Sequence, residues 1–411
     1  MPLRPVPLLI AVVAAIVPTA LSGQNADADL IARARAIHGR VITLDTHNDI
    51  DAAHFTLDCN YTQRLTTQVN LPKMQEGGLD VSFLIAYVGQ GPLTPEGYAD
   101  AYRDVIAKFD AVHRLTGQIA PQQIGLALTP ADVTRIAGSG RKVAAIGIEN
   151  GYPIGTDLSR VREFYERGGR YMSLAHNGHN QLSDSNTGEA TGDAPHGGVS
   201  PLGRQVIAEM NRLGMMVDVS HPSKASMLQT VALSKAPVIA SHSAVRALAD
   251  HSRNMDDEQL LAMKKARGVV QVVAFASYVK VQPQPAGGRA RGAGGRGRGA
   301  ADETAAPCPI DSRAAPPAPA APGRATVKDF VDHIDYGVRL IGIDHVGISS
   351  DFDGGGGIDG WNSAAETFNV TLELVRRGYG EKAIAKLWSG NLLRVWRDVE
   401  KIAKRLQADT E

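Results

Sequence analysis

The sequence predicts an α/β protein: a parallel (β/α)8 barrel of the TIM type, with a metal site at the C-terminal ends of its strands. Three observations lead to it. Eight short apolar segments alternate with segments of helical spacing, and such alternation builds a parallel sheet whose eight units close most naturally into a barrel. No Gly-rich phosphate turn follows the first strand, which argues against an open doubly wound sheet. Four of the strands end in side chains able to hold a cation: VITLDTHNDI at His47 and Asp49, VAAIGIEN at Glu149, MMVDVSH at His221 and PVIASH at His242.

The elements follow in order. ADADLIARARAIHGR has helical spacing and leads into a first strand over 41–45, and Gly77 and Gly78 announce a second at about 80–88. EGYADAYRDVIAKFDAVHRLT carries apolar residues at helical intervals, with Gly117 just past its end. The remaining strands are KVAAIGIEN, RYMSLAHNGHN, GMMVDVSH, APVIASHS, GVVQVVAFASY and DHVGISSDFDG, separated by helix-patterned segments such as LGRQVIAEMNRLG and TVKDFVDHIDYGVRLIG. An amphipathic charged helix, LLRVWRDVEKIAKRLQADTE, ends the chain.

With 411 residues, 43% apolar and 21% charged, the chain has ample material for a core, which reads as one domain over 24–411. Lys plus Arg equals Asp plus Glu at 43 each, so no global field draws nucleic acid or an anionic membrane. Residues 1–23 read as a secretory leader: Arg4 supplies positive charge, LLIAVVAAIVPTAL an apolar core, and Ala20, Ser22 and Gly23 small residues for cleavage. Broken by Pro18, the apolar run falls short of the about 20 residues that a membrane span requires. The C-terminus has no apolar tail for a lipid anchor. The mature protein is expected to be exported, periplasmic or extracellular, without a stable membrane anchor. Cys59 and Cys308 suit an oxidising compartment, and the sequence leaves open whether they pair. Residues 282–325 are Pro, Gly, Ala and Arg with almost no apolar bulk, and disorder is expected there. Their place after the seventh strand brings them out at the barrel mouth, and no nucleic-acid role is expected for their Gly-Arg repeats.

His47 and Asp49 stand at i and i+2 of a strand, on one face, so imidazole and carboxylate can close on a single cation. Taken alone the pair is weak evidence, because His and Asp at a strand end often form an ordinary turn. His221 and His242 lie 21 residues apart, one compact βα repeat. That spacing puts them at equivalent ends of neighbouring strands about 5 Å apart, where two imidazoles can share a zinc ion. The joint placement of these four with Glu149 carries the metal reading.

DTHND at 45–49, GIEN at 147–150, SLAHN at 173–177, DVSH at 218–221, SHS at 241–243, the pair Arg253 and Asn254, DHVGISSDFDG at 344–354 and GNLLRVW at 390–396 form a specific series in order and spacing. On these motifs the chain, from about residue 30 to 400 outside the low-complexity stretch, resembles the membrane dipeptidase (renal dipeptidase) family, binuclear zinc peptidases among the amidohydrolase-like barrels. DTHND departs from the family's more usual Asp-Gly-His-Asn-Asp, and Asn150 and Tyr152 stand where relatives carry other residues. The ligand positions are intact.

The resemblance implies two zinc ions per chain, one on His47 and Asp49, the other on His221 and His242, with Glu149 bridging both and a hydroxide as nucleophile. It implies that His176 donates to the oxyanion, that Arg253 pairs with the substrate's terminal carboxylate, and that Asp351 passes a proton to the leaving amine. Asp353 offers the same side chain two residues on, so the choice of Asp351 rests on the family. Tyr278 carries over to the substrate wall. The histidines His54, His179, His196, His251 and His345 are read as structural. The implied substrate is a free dipeptide with a D-residue tolerated at its C-terminal position, and family analogy extends to a homodimer. The competing readings are an amidohydrolase acting on N-acylated amino acids or other small amides, and a non-catalytic binding module on the same barrel.

Overall fold

The computed structural model describes residues 20–281, 308–311 and 323–409. Most of the leader, 1–19, and most of the Pro/Gly/Ala/Arg-rich stretch, 282–307 and 312–322, lie outside the described residues. Short, mostly buried runs form parallel strands in chain order: β1 (Leu44–Asp49), β2 (Val81–Tyr87), β3 (Ile124–Leu126), β4 (Lys142–Glu149), β5 (Gly169–Ser173), β6 (Met216–Asp218), β7 (Ile239–Ser243), β8 (Val269–Val273) and β9 (Val346–Ser349). Eight of them run β1-β2-β4-β5-β6-β7-β8-β9. The ring closes where Asn48 of β1 pairs with Phe352, just past β9, and Asp49 N donates to the Phe352 carbonyl over 2.9 Å. The barrel of eight is therefore the expected one. β3 is an addition: it pairs with Lys142, Val143 and Ala144 at the start of β4, before β5 joins at Ile146. Three residues are too short a run for a strand period to show in sequence.

Seven of the helices start at side chains that accept from the free N–H groups of a first turn. α1 is Ala20–His38; Asn70 caps α2 (Leu71–Gly77), Thr94 caps α3 (Pro95–Arg114), Thr129 caps α4 (Pro130–Gly138), and α5 is Ser159–Glu166. Ser200, Ser223 and Asp256 cap α6 (Pro201–Leu213), α7 (Lys224–Leu233) and α8 (Asp257–Lys265). α9 is the single turn Ala276–Val279, and Thr326 caps α10 (Val327–Ile341). The chain ends through α11 (Phe368–Arg376), α12 (Glu381–Ala385) and α13 (Asn391–Ala408). Among the described residues no helix is long and apolar enough to cross a membrane.

The barrel interior is apolar at one end and polar at the other. Val81, Val143, Met216, Ile239 and Val269, at or near the starts of their strands, share one cluster with Val395, Trp396 and Val399 of α13. The amphipathic terminal helix thus plugs the N-terminal end, with the Phe83 ring 5.9 Å from Trp396 and 5.5 Å from Tyr171. Functional groups are left to the opposite rim. Two expected positions shift there. β5 ends at Ser173, so His176 lies in the loop beyond the strand, and Tyr278 lies on α9 rather than on a strand. Cys59 and Cys308 form a disulfide, and within the stretch expected to be disordered Ile310 pairs antiparallel with Leu65.

Candidate metal centre

Glu149, the last residue of β4, stands at the middle of the rim. Its Oε1 lies 2.9 Å from His221 Nε2 and 3.3 Å from His242 Nε2, and its Oε2 lies 3.5 Å from His47 Nε2 and 3.9 Å from His176 Nε2. Each carboxylate oxygen therefore faces its own pair of imidazoles. Metal-capable atoms within 4.8 Å of one another fall into three overlapping groups: His47, Glu149 and His242; Glu149, His176 and His221; His47, Asp49 and Asp351. All five expected ligands converge, and His176 and Asp351 join them. The partnering is more mixed than the two separate pairs expected, since the His47 ring lies 3.9 Å from that of His242 and the His176 ring 4.2 Å from that of His221.

His47, Glu149, His221 and His242 are at most 3% exposed. Burial drives the His221 and His242 imidazoles well below their ordinary range, which keeps them neutral, the form that binds a metal. Burial also acts to lower His47, but the Glu149 and Asp49 carboxylates overturn it and raise the group to about 10. Asp49 is raised to about 6 by burial and by Glu149. Asp351 is pushed well above the carboxylate range by burial first, with Asp49 and Glu149 adding to it. Glu149, against its burial, is held well below that range by His47, His176 and His221. Three crowded carboxylates in a nearly dry space call for positive charge. His47 Nε2, Asp49 Oδ1 and Glu149 Oε1 are buried without a hydrogen-bond partner, which a folded interior rarely tolerates. A set of imidazole and carboxylate donors without thiolate fits a divalent ion such as zinc.

Two of the imidazoles are oriented from behind. His47 Nδ1–H donates to the Tyr171 hydroxyl oxygen over 2.9 Å, and the Tyr171 proton goes to the Thr46 carbonyl at 2.9 Å. Ser241 Oγ donates to Asp218 Oδ2 over 2.6 Å and accepts from His242 Nδ1 at 2.8 Å. Both chains place the proton on Nδ1 and free Nε2 for the centre. Sequence reasoning missed both. Asp218 and Ser241 sit inside the DVSH and SHS motifs, so a signal was present; Tyr171 sits in an ordinary strand run and carried none.

The remaining candidates fall around this centre. The Arg253 guanidinium donates through Nη1 to the Ser220 carbonyl and through Nη2 to the His242 carbonyl at 3.1 Å, tying together the strand ends that carry His221 and His242. Its Nε is buried without a partner, and its carbon lies 5.5 Å from the centre of the Tyr278 ring. His251, read as structural, packs 4.5 Å from that same ring and shares the wall. Asp353 turns out of the centre, its carboxylate accepting from Gln68 N at 2.8 Å and Val69 N at 3.2 Å, so only Asp351 faces the ligands. Asn150 and Tyr152 serve the frame: the Asn150 amide donates to the Val88 carbonyl at 3.1 Å, and the Tyr152 hydroxyl to the Pro92 carbonyl at 2.6 Å. A further group had no sequence signal. The Lys108 ammonium lies 5.3 Å from the Tyr87 ring centre, and that ring lies 4.7 Å from the ring of His176.

The family model described as membrane dipeptidase (peptidase family M19) matches residues 31–410. Dipeptidase aclJ of Aspergillus oryzae is 33% identical over 384 residues, 90% of this chain and 81% of that protein. Dipeptidase tcpJ of Claviceps purpurea is 31% identical over 372 residues, 87% of this chain and 77% of that protein. Among solved structures, the probable dipeptidase PvdM from Pseudomonas aeruginosa superposes with a TM-score of 0.77 at 30% identity, covering 91% of this chain and 99% of that one.

Proposed function

The chain belongs to the membrane dipeptidase family, peptidase family M19, and from that premise we propose that this metal-dependent dipeptidase is an exported two-zinc enzyme acting on free dipeptides, with a D-residue tolerated at the C-terminal position. The observation that carries the two-ion reading is Glu149, whose oxygens face separate imidazole pairs. His47 and Asp49 would hold one ion, His221 and His242 the other, and Glu149 both. When bound, the paired ions supply a nucleophilic hydroxide at neutral pH and polarise the scissile carbonyl.

The chain's own groups do the rest. Arg253 binds the substrate's terminal carboxylate through its unpartnered Nε and remaining Nη hydrogens. His176, backed by the Tyr87 ring, donates from its imidazole to the oxygen that gains charge. Asp351, whose carboxylate faces the ligands, takes a proton from the nucleophile and passes it to the leaving amine. Tyr278 walls the carboxylate end beside Arg253. Export is supported by the leader at 1–23 and by the Cys59–Cys308 bridge, since such bridges persist in oxidising compartments. Family analogy adds a homodimer.

The test is hydrolysis of L-Ala-D-Ala beside its N-acetylated form by the purified mature protein, before and after chelation with zinc added back. Zinc-restored cleavage of the free dipeptide alone is expected. Cleavage of the acetylated form alone would make the protein an amidohydrolase of N-acylated amino acids. Cleavage of neither by the zinc-loaded protein would favour the binding module.

A further inference from the structure

Asp351 and Asp353 both lie in left-handed backbone, with φ of 59° and 61°. Non-glycine residues occupy that region at a cost, so the turn that aims Asp351 needs support from outside. Gln68 supplies it. Its backbone N donates to Asp353 Oδ1 at 2.8 Å, its Oε1 accepts from Asp353 N at 2.7 Å, and its Nε2 donates to the Gly356 and Asn362 carbonyls at 3.0 and 2.8 Å. Inside the turn, the N–H groups of Gly354 and Gly356 donate to the Asp351 carbonyl at 3.2 and 2.7 Å.

Gln68 sits in the loop after β1, and a short strap, residues 308–311, fastens that loop. Thr66 N donates to the Pro309 carbonyl at 2.7 Å and Asp311 N to the Arg64 carbonyl at 2.8 Å, beside the Leu65–Ile310 bridge. The Asp311 carboxylate lies 3.3 Å from Arg64 Nε and 3.7 Å from Lys73 Nζ. The Cys59–Cys308 bond ties the start of the strap covalently to the same loop.

We propose that the Cys59–Cys308 bridge is a positioning element for the reaction: it holds residues 308–311 on residues 64–66, which keeps Gln68 against Asp353 and Asp351 turned toward the metal ligands. The inference rests on the proton-transfer reading of Asp351. It is tested with Cys59→Ser combined with Cys308→Ser, and with Gln68→Ala in the bridged protein. Metal content, kcat and KM on L-Ala-D-Ala, and hydrogen exchange at the Gly354 and Gly356 amides are measured. Both variants are expected to keep their metal and their KM, to exchange those two amides faster, and to lose about tenfold to a hundredfold in kcat, the scale of an ångström-sized misplacement. Should the bridge-free variant not fold, the folded metal-loaded enzyme is reduced instead with a trialkylphosphine. That reagent takes the oxygen of one water as phosphine oxide while the disulfide becomes two thiols. Unchanged kcat and unchanged exchange without the bridge would overturn the proposal. Faster exchange with unchanged kcat would also overturn it, and an active Asp351→Asn would then locate the error in Asp351 rather than in the strap.

Discussion

His47 and His242 each keep one nitrogen for the metal centre because the other is committed to a buried hydroxyl, Tyr171 in one case and Ser241, backed by Asp218, in the other. Removing such a partner lets the imidazole turn or change tautomer, and typical losses are about 10–100-fold in metal affinity. Tyr171→Phe and Ser241→Ala are each expected to bind metal that much more weakly in competition with a chromophoric chelator. Affinity equal to the parent would show that packing alone aims the rings. Asp351→Asn is expected to abolish turnover with metal content unchanged, both measured on one preparation; retained turnover would remove Asp351 from proton transfer. At this scale the strand period of two put His47 and Asp49 of DTHND on one face, and GIEN, DVSH and SHS marked Glu149, His221 and His242 as strand-end ligand candidates. The choice between Asp351 and Asp353 was not legible in DFD, because it depends on Gln68 and Val69, about 285 residues away, taking up the Asp353 carboxylate.

Among the elements, α1 packs through Ala34 and Ile37 into the core and through Arg35 onto the Phe368 ring, and His38 at its end makes a polar joint. His38 Nε2–H donates to the Gly77 carbonyl at 2.9 Å, and its Nδ1 accepts from the Thr371 hydroxyl at 2.7 Å, while Thr371 Oγ1 in turn accepts from Trp388 Nε1 at 2.9 Å. Gly78 follows at φ 70°, where a side chain would be strained and would run into the His38 ring. Burial lowers the His38 imidazole from its ordinary 6.5, more than the Gly77 carbonyl raises it. The folded protein therefore holds His38 neutral while the unfolded chain takes up a proton near 6.5. Its contribution is complete above that value and is lost as the pH falls from there toward the depressed folded value. Urea unfolding from pH 7.5 down to 5.5 is expected to show parent stability falling more steeply than that of His38→Gln, by up to one proton; parallel curves would show that His38 does not titrate with folding. The sequence marked α1 and most of the other helices by their spacing, but not this joint, because its partners come from α2, α11 and the segment carrying Trp388.

The whole molecule separates stability from chemistry along the barrel axis. Trp396, fully buried, closes the N-terminal end from α13, while the candidate metal ligands occupy the other rim. Trp396→Ala is expected to cost about 3–5 kcal/mol, the range for losing a large buried aromatic, measured by urea unfolding of the metal-free protein. KM for the dipeptide at temperatures where the variant remains folded is expected to be unchanged. A loss below about 1 kcal/mol would mean that α13 is dispensable to the barrel floor.

Local pattern determined the eight barrel strands, the helices between them and the five ligand candidates, because strand period, helical spacing and capping act over a few residues. The Cys59–Cys308 pairing, the Tyr171 support, the extra strand β3 and the turning of the Asp353 carboxylate onto Gln68 and Val69 were decided only by the tertiary structure. The pairing, the Tyr171 support and the Asp353 contacts depend on groups brought together by closure of the barrel, up to 285 positions apart for Gln68 and Asp353, and no local pattern encodes which distant group will arrive.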